Sequence, residues 1–301
     1  MNYYHLIAGL PEIEIEDNKL TFSIADFRHE VRPQLWAADR RLMDLFFLKF
    51  DNHNLLRYLK DNEVKFDERG NFTKDEIGNY IRLVDNANDS KFKKLLSHVT
   101  PKNDNFPSYI RTFVSEYKTA EQAEDANMDA ARWENRLTEL YYQWAMKCSN
   151  KVVSEWFEFN LNINNILTAY TSRKYKMNVE VLGDNNVAVF VRTSKQRDFG
   201  LGEIIEDMDL FQRIADESDL FDREKKVDMM KWQWLDEQTY IKNCFSMEKV
   251  FTYLAKLEII ERWVSLDPAE GRKLFRSLIG SLKESVVNSP ELKNLQMNEL
   301  N

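Results

Sequence analysis

The chain has 301 residues, 43% hydrophobic and 31% charged, with a formal net charge of −8. That is enough apolar material for one large core or several small ones, while the acidic balance, with no long Lys/Arg run, disfavours a phosphate backbone, so no nucleic-acid partner is expected. Only 8 Gly and 6 Pro is too few for the tight turns of sandwiches, barrels and doubly wound sheets, which points to a mainly α fold.

Strand character is confined to the start. "YYHLIAGLP" reads as a compact apolar strand or extended segment closed by Gly9 and Pro11, and "IEIEDNKLTF" alternates with a turn at Asp17-Asn18. This predicts at most a small N-terminal β-hairpin. From Ser23 the pattern turns helical. Ser23 with Asp26 marks a helix start, and Pro33 breaks or kinks the chain beyond it. "QLWAADRRLMDLFFLKF" is apolar enough on its later turns to be buried on most sides. Thr73 and Glu76 form a capping box ahead of Ile77, Tyr80, Ile81 and Val84, which follow helical spacing, as do Ile110, Phe113, Val114 and Tyr117.

Residues 120–150 read as one long helix striped by Trp133, Leu137, Leu140, Tyr141, Trp144 and Cys148. "WFEFNLNINNILTAYTSRKYKM" comes next, threading Asn160, Asn162, Asn164 and Asn165 through an apolar helical pattern that ends in Arg173, Lys174 and Lys176. Asparagine is a mediocre helix former because its amide competes for backbone groups, so these positions carry a constraint. "VEVLGDNNVAVFVR" fits a hairpin turning at Gly183-Asp184 or a short helix begun by Asn185 or Asn186; the helix is preferred. Helices resume over 203–243 and 246–266. Asp267, Pro268 and Glu270 then cap a last helix faced by Leu274, Phe275, Leu278 and Leu282, ahead of a polar tail after Pro290.

Motifs that carry chemistry are sparse. Cys148 and Cys244 support neither a disulfide framework nor a thiolate metal site, which fits a reducing compartment. His5, His29, His53 and His98 include no pair at ligand spacing, so no metal site and no cofactor is expected. "FDERGNFTKDEI" echoes a calcium loop but puts Arg69 at the third ligand position and reads as a charged turn into a capped helix. "DFG" at Asp198–Gly200 and "GLG" at Gly200–Gly202 lack the companions of a kinase or dinucleotide loop and read as turns. No nucleophile–base signature stands out, so no catalytic residue is expected. Glu258 and Glu261 share one helical face; a hydrolase could use such a pair, but a solvated or interface face is the plainer reading. Trp232 and Trp234 sit two apart and point to different faces, so at most one should occupy the chain's own core and the other is a candidate partner contact. The first residues lack the charged start of a signal peptide, and nothing approaches the roughly 18 apolar residues of a membrane span, which predicts a cytoplasmic protein.

"FDNHNLLRYL" (Phe50 to Leu59) can be laid over "LNINNILTAY" (Leu161 to Tyr170), placing Asn54 on Asn165, and "MEKVFTYLAKLEIIERWVSL" supplies a third helical block. The period would be roughly one hundred residues. Here the chain resembles the C/d family of V/A-type ATPase components, named C in the archaeal and bacterial enzymes and d in the eukaryotic V-type pump. The characteristic stretch of that family is an acidic or polar residue, a short apolar pair, Asn-Leu, and an apolar helix with an Arg/Lys-rich end. "FNLNINNILTAYTSRKYKM" is similar: Asn162 stands where an aspartate is common, Asn165-Ile166 for Asn-Leu, and Arg173-Lys174 for the basic end. "YLAKLEIIERWVSL" looks like the family's closing helix. More closely, "YYHLIAGLP" and "TSKQRDFGLG" resemble a bacterial family of unassigned proteins encoded among V-type ATPase subunits.

The resemblance implies three related helical bundles, over 1–110, 111–215 and 216–301, forming a funnel-like body. It implies a non-catalytic adaptor that couples the central stalk to the membrane rotor ring, peripheral on the cytoplasmic face of the inner membrane and reaching it only through the ring. Asn162, Asn165, Arg173 and Lys174 would then set a junction between repeats; the alternative is an exposed polar helix face. A free helical scaffold and a carboxylate-dependent hydrolase are the rival functions.

Overall fold

The computed structural model describes residues 3–15, 17, 20, 22–61, 63–88, 106–123, 129–177, 179–205, 207–240 and 244–265. Among these there are eleven α-helices and no strand. They are α1 (Tyr4–Ala8), α2 (Ile24–Val31), α3 (Ala37–Lys60), α4 (Lys74–Asn88), α5 (Ser108–Gln122), α6 (Ala130–Ala145), α7 (Lys151–Tyr175), α8 (Asn186–Thr193), α9 (Met208–Asp216), α10 (Leu220–Thr239) and α11 (Met247–Ser265). The expected last helix after Asp267, the polar tail, His98 and the turn residue Asn18 lie outside the described residues.

Short polar side chains set the helix starts. Ser23 and Asp26 close a reciprocal capping box on α2, and Thr73 and Glu76 do the same for α4. Asn150 accepts from Val153 N (3.1 Å), Asn185 from Ala188 N (3.0 Å) and Asp219 from Asp222 N (3.0 Å). Asn185 thereby settles 178–202 in favour of a helix. Pro33 sits in a 3-10 turn, Arg32–Gln34, between α2 and α3, because its ring fixes φ and offers no N–H to continue the ladder.

Two expectations are corrected. The opening apolar segment is a helical turn, not a strand: Tyr3 N donates to Phe245 O (2.6 Å), Tyr3 Oη accepts from Trp36 N (3.2 Å) and hydrogen-bonds Asp39, and the Tyr4 and Phe245 rings lie 4.4 Å apart. Five residues are too few for a period to declare itself, so these tertiary anchors decide. The helix read over 120–150 is also shorter. Asp129 caps its start, and Asn150 claims the following residues for the next helix, leaving Cys148 in the turn with its thiol donating to Asn150 O (3.3 Å).

The buried side chains gather in two apolar clusters. The larger joins α2 to α6, the first half of α7 and α11; the smaller joins the second half of α7 to α8, α9 and the turn holding Phe199 and Leu201. α7 therefore runs through both. α3 buries the continuous run Leu45 to Leu48, as its composition predicts, and α11 buries Val250, Phe251, Thr252, Tyr253, Leu254 and Ala255 in succession, so each is enclosed on most sides. α11 packs on α2, α3, α7 and α10, and Phe251, fully buried, touches Phe46 of α3 (5.9 Å between centroids) and Phe157 of α7 (6.3 Å).

Phe251→Ala empties the point where three long helices meet. It should cost about 3–5 kcal/mol in chemical denaturation, the usual range for a buried aromatic lost from a close-packed core; a cost below about 1 kcal/mol would mean the helices do not meet there.

Candidate functional site

The asparagine-rich stretch of α7 resolves into one device. Asn165, 2% exposed, donates through Nδ2 to Leu182 O (2.8 Å) and accepts through Oδ1 from Leu182 N (2.9 Å). One carboxamide thus satisfies both the N–H and the C=O of a single residue in the loop that returns from α7. Three residues earlier, on the same face, Asn162 Oδ1 accepts from Nδ2 of Asn185 (2.7 Å), the cap of α8. Gly183 follows the clamped residue at φ +76°, a left-handed turn that would strain a side chain, and Leu161 packs against its outer face. Of the other two asparagines, Asn160 donates back to Trp156 O (2.7 Å) and Asn164 is exposed.

α3 repeats the device. Asn54, fully buried, donates to Asp67 O (2.9 Å) and accepts from Asp67 N (2.8 Å). Three residues earlier Asp51 accepts from Asn71 Nδ2 (2.7 Å) and Phe72 N (3.0 Å), just ahead of the Thr73 cap of α4. Gly70 lies so close that an added Cβ would come within 2.6 Å of Asp51 Oδ1. In both places a long helix offers two polar groups one turn apart; the second clamps the returning loop, and the first receives the entry to the next capped helix. The overlay of Asn54 on Asn165 therefore has a shared structural job behind it, and the aspartate absent at Asn162 is present at Asp51. "FDERGNFTKDEI" is the clamped loop of the first copy, a charged turn as its sequence suggests. The signal for it was available: Asp51, Asn54 and Leu55 stand at the spacing of Asn162, Asn165 and Ile166, with Asn52-His53 between the first two.

The basic end of α7 closes the second cluster. Arg173 donates to Ser194 O (2.6 Å) and Gln196 O (2.5 Å), with its guanidinium 3.8 Å over the Phe199 ring. Phe199 is fully buried at φ +58°, so the "DFG" triplet is a strained turn held by burial and by this cation–π contact. Lys174 donates to Ala215 O (3.3 Å) near the C-terminal end of α9.

Glu258 and Glu261 are both engaged by cations, at a different place. Glu261 accepts from Ile24 N (2.8 Å) at the positive end of α2, with Arg69 4.0 Å away. Glu258 pairs with Lys49, whose ammonium also lies 3.8 Å from the Phe46 ring centroid. Burial pushes the Lys49 amine below its usual range even though Glu258 raises it, yet 32% of its side chain is open to water. The pair ties α3 to α11 and stays partly open to water. Burial likewise lowers the Lys231 amine, which has Asp228, Glu258 and Glu224 in electrostatic reach. Asp228, 2% exposed and raised by burial, is paired with Arg262 and accepts from Trp263 Nε1 (2.8 Å).

Trp232 and Trp234 do point to different faces, but both pack on the larger cluster instead of one alone. Trp234 stacks on Phe159 (5.3 Å) and lies 5.6 Å from Trp156 of α7; Trp232 lies under Lys256 of α11 (4.4 Å). The sequence-derived residues thus fall in three places: the α7 clamp with its basic end, the α11 carboxylates facing α2 and α3, and the faces of α10. Among the described residues no three His, Cys, Asp or Glu side chains are grouped so as to hold a metal. The chain belongs to the family described as "Protein of unknown function (DUF2764)", whose model matches residues 1–286. No curated protein and no solved structure matches it.

Asn165→Leu leaves Leu182 N–H and C=O facing an apolar side chain. It should destabilise the protein by about 1–3 kcal/mol with the far-UV spectrum intact; unchanged or raised thermal stability would remove the clamp from any account of the fold. Asp51 titrates in the opposite sense from most native carboxylates. Burial holds its pKa at about 6, above the usual aspartate value of 3.8, despite the donors from Asn71 and Phe72. Its contribution is full below about pH 4 and lost as pH rises through about 6, worth about 3 kcal/mol at the usual 1.36 kcal/mol per unit. The difference in stability between the wild type and Asp51→Asn should therefore change across pH 4–6 and be flat above pH 7; a difference constant from pH 4 to 8 would contradict it.

Proposed function

We propose that this member of the DUF2764 family is a non-catalytic subunit of a V/A-type rotary ATPase, C/d-like, coupling the central stalk to the membrane rotor ring. The observation that carries the reading is the duplicated clamp. The spacing of the stretch that resembles the C/d family, a polar residue followed three places later by Asn and an apolar residue, occurs twice, at Asp51–Leu55 and Asn162–Ile166, and in both copies the same two positions hold the loop to the next helix. A body of related helical bundles, divided near 110 and 215, is the architecture that the resemblance implies. Close-packed helices locked at their returns give the stiffness needed to pass torque between two partners.

No described helix is long and apolar enough to cross a membrane. In this reading the chain reaches the cytoplasmic face of the inner membrane only through the rotor ring. A protein with net charge −8 is repelled by anionic lipid, which favours a protein partner over the bilayer itself. The carboxylates Glu258 and Glu261 are tied to Lys49, Arg69 and the start of α2, which supports a packing role for them over acid–base chemistry.

The test is affinity purification of the tagged chain from its native host with its neighbouring genes intact, read by mass spectrometry. Central-stalk and rotor-ring subunits should be recovered from membranes and lost from them together under low salt or chelator. Preparations reproducibly free of every rotary ATPase subunit would replace this reading with that of a free helical scaffold.

A further inference from the structure

An open groove of about 440 Å³ runs along α10, floored by Met229, Met230 and Trp232 with Leu210 of α9 and Ile15. Met229 is 51% exposed, although it stands in the middle of a helix whose next turn is packed against the core. Lys226, Met230, Gln233 and Glu237 also line the groove. They follow one another at helical spacing, so the groove is straight and about 16 Å long, some three helical turns. Two methionines and an indole make an adaptable apolar floor, the kind of surface that takes the side chains of an incoming amphipathic helix.

The two ends of the groove differ in charge. At one end Lys226 is neutralised by Glu217. At the other, Asp236 is paired with Lys256, whereas the exposed Glu237 receives only the neutral amide of Gln233 (3.1 Å) and has no cation within ion-pair distance among the described residues. The last turn of α10 carries no basic residue, so the negative end of its dipole adds to the same spot. An acidic end with no paired cation among the described residues, beside an apolar floor and on a chain of net charge −8, favours a basic occupant over a second copy of this chain.

We propose that the α10 groove is a docking site for an amphipathic helix of a protein partner, which inserts apolar side chains between Met229, Met230 and Trp232 and sets a Lys or Arg over Glu237. The inference goes beyond the rotary-ATPase reading and does not depend on it; a scaffold protein could use the same groove.

The test uses the full chain with ¹³C-methyl-labelled methionine and an 18-residue helical Leu/Lys peptide as the probe. Its leucines lie three and four apart, and its lysines are gathered at one end. The Met229 and Met230 methyl resonances should shift saturably. A peptide with its lysines replaced by glutamate should bind about tenfold more weakly, and Glu237→Lys should reverse that preference, about 1.4 kcal/mol at tenfold. Met229→Lys, at an exposed position that the core does not use, should abolish the shifts. Four results would overturn the proposal: no shift at either methionine with millimolar peptide; equal shifts from the Lys and Glu peptides; a concentration-dependent dimer in sedimentation that Met229→Lys dissolves, which would assign the groove to a second copy; or bleaching of Met229 in the free chain by a spin label at Leu278→Cys in a Cys148→Ser, Cys244→Ser background, which would assign it to the chain's own segment 266–301.

Discussion

A carboxamide both donates and accepts, so it can close on the backbone N–H and C=O of one residue, and the fold relies on that match twice. Without Asn54 and Asn165, each loop returning from a long helix would bury a donor and an acceptor with nothing to satisfy them, a penalty of about 1–3 kcal/mol per group. With them, the loops around Asp67 and Leu182 lie flat against α3 and α7, and the helices that come next start where their caps can close. The glycines belong to the same arrangement, since Gly70 admits the first loop to within contact of Asp51 and Gly183 turns the second.

The clamps also explain how two apolar clusters hold together as one body. α7 contributes Val153, Trp156 and Phe157 to the larger cluster and Ile163, Ile166 and Leu167 to the smaller one. Its clamp at Asn165 falls within the second half, where α8 and α9 must be gathered back onto it. The basic end then finishes the job: Arg173 ties down the 194–196 backbone, and Lys174 reaches the end of α9. The helix is apolar on several sides because it serves several neighbours, and its polar residues occur where it must bond to backbone.

Much of this was legible in the sequence. The scarcity of Gly and Pro, the capping boxes at Ser23 and Thr73, the run buried in α3 and the capped helix at Asn186 all act through local chemistry, and local chemistry is written in adjacent residues. Asn165 stands out as an anomaly in an apolar helix, and its overlay on Asn54 can be drawn from the letters alone. The bonds each amide makes cannot, because Asp67 and Leu182 lie at different sequence distances from their clamps and offer only backbone, which has no residue signature. The opening segment reads as a strand for a related reason: its helical turn is imposed by Phe245 and Asp39, far along the chain. Trp232 and Trp234 face two ways, as their spacing requires, but nothing in that spacing reveals that α7 and α11 wait on both.

The chemistry of the clamp accounts for which of its positions vary. Positions 54 and 165 must both donate and accept, so an aspartate, which only accepts when ionised, would set a carboxylate against the carbonyl of Asp67 or Leu182; asparagine stands at both. Position 51 accepts on both oxygens, from the amide of Asn71 and the N–H of Phe72, which suits a carboxylate, whereas position 162 accepts on one oxygen, from the amide of Asn185, for which an asparagine is enough. The difference is in titration: buried Asp51 acquires a pKa of about 6, and Asn162 carries no charge to titrate. In α11, Glu258 precedes the apolar pair Ile259-Ile260 as Asn54 precedes Leu55-Leu56 and Asn165 precedes Ile166-Leu167. An ionised carboxylate at that place has no donor for a backbone C=O. It turns instead to the Lys49 ammonium of α3, so that the position which in α3 and α7 fastens a helix to its own returning loop here fastens α11 to the first long helix.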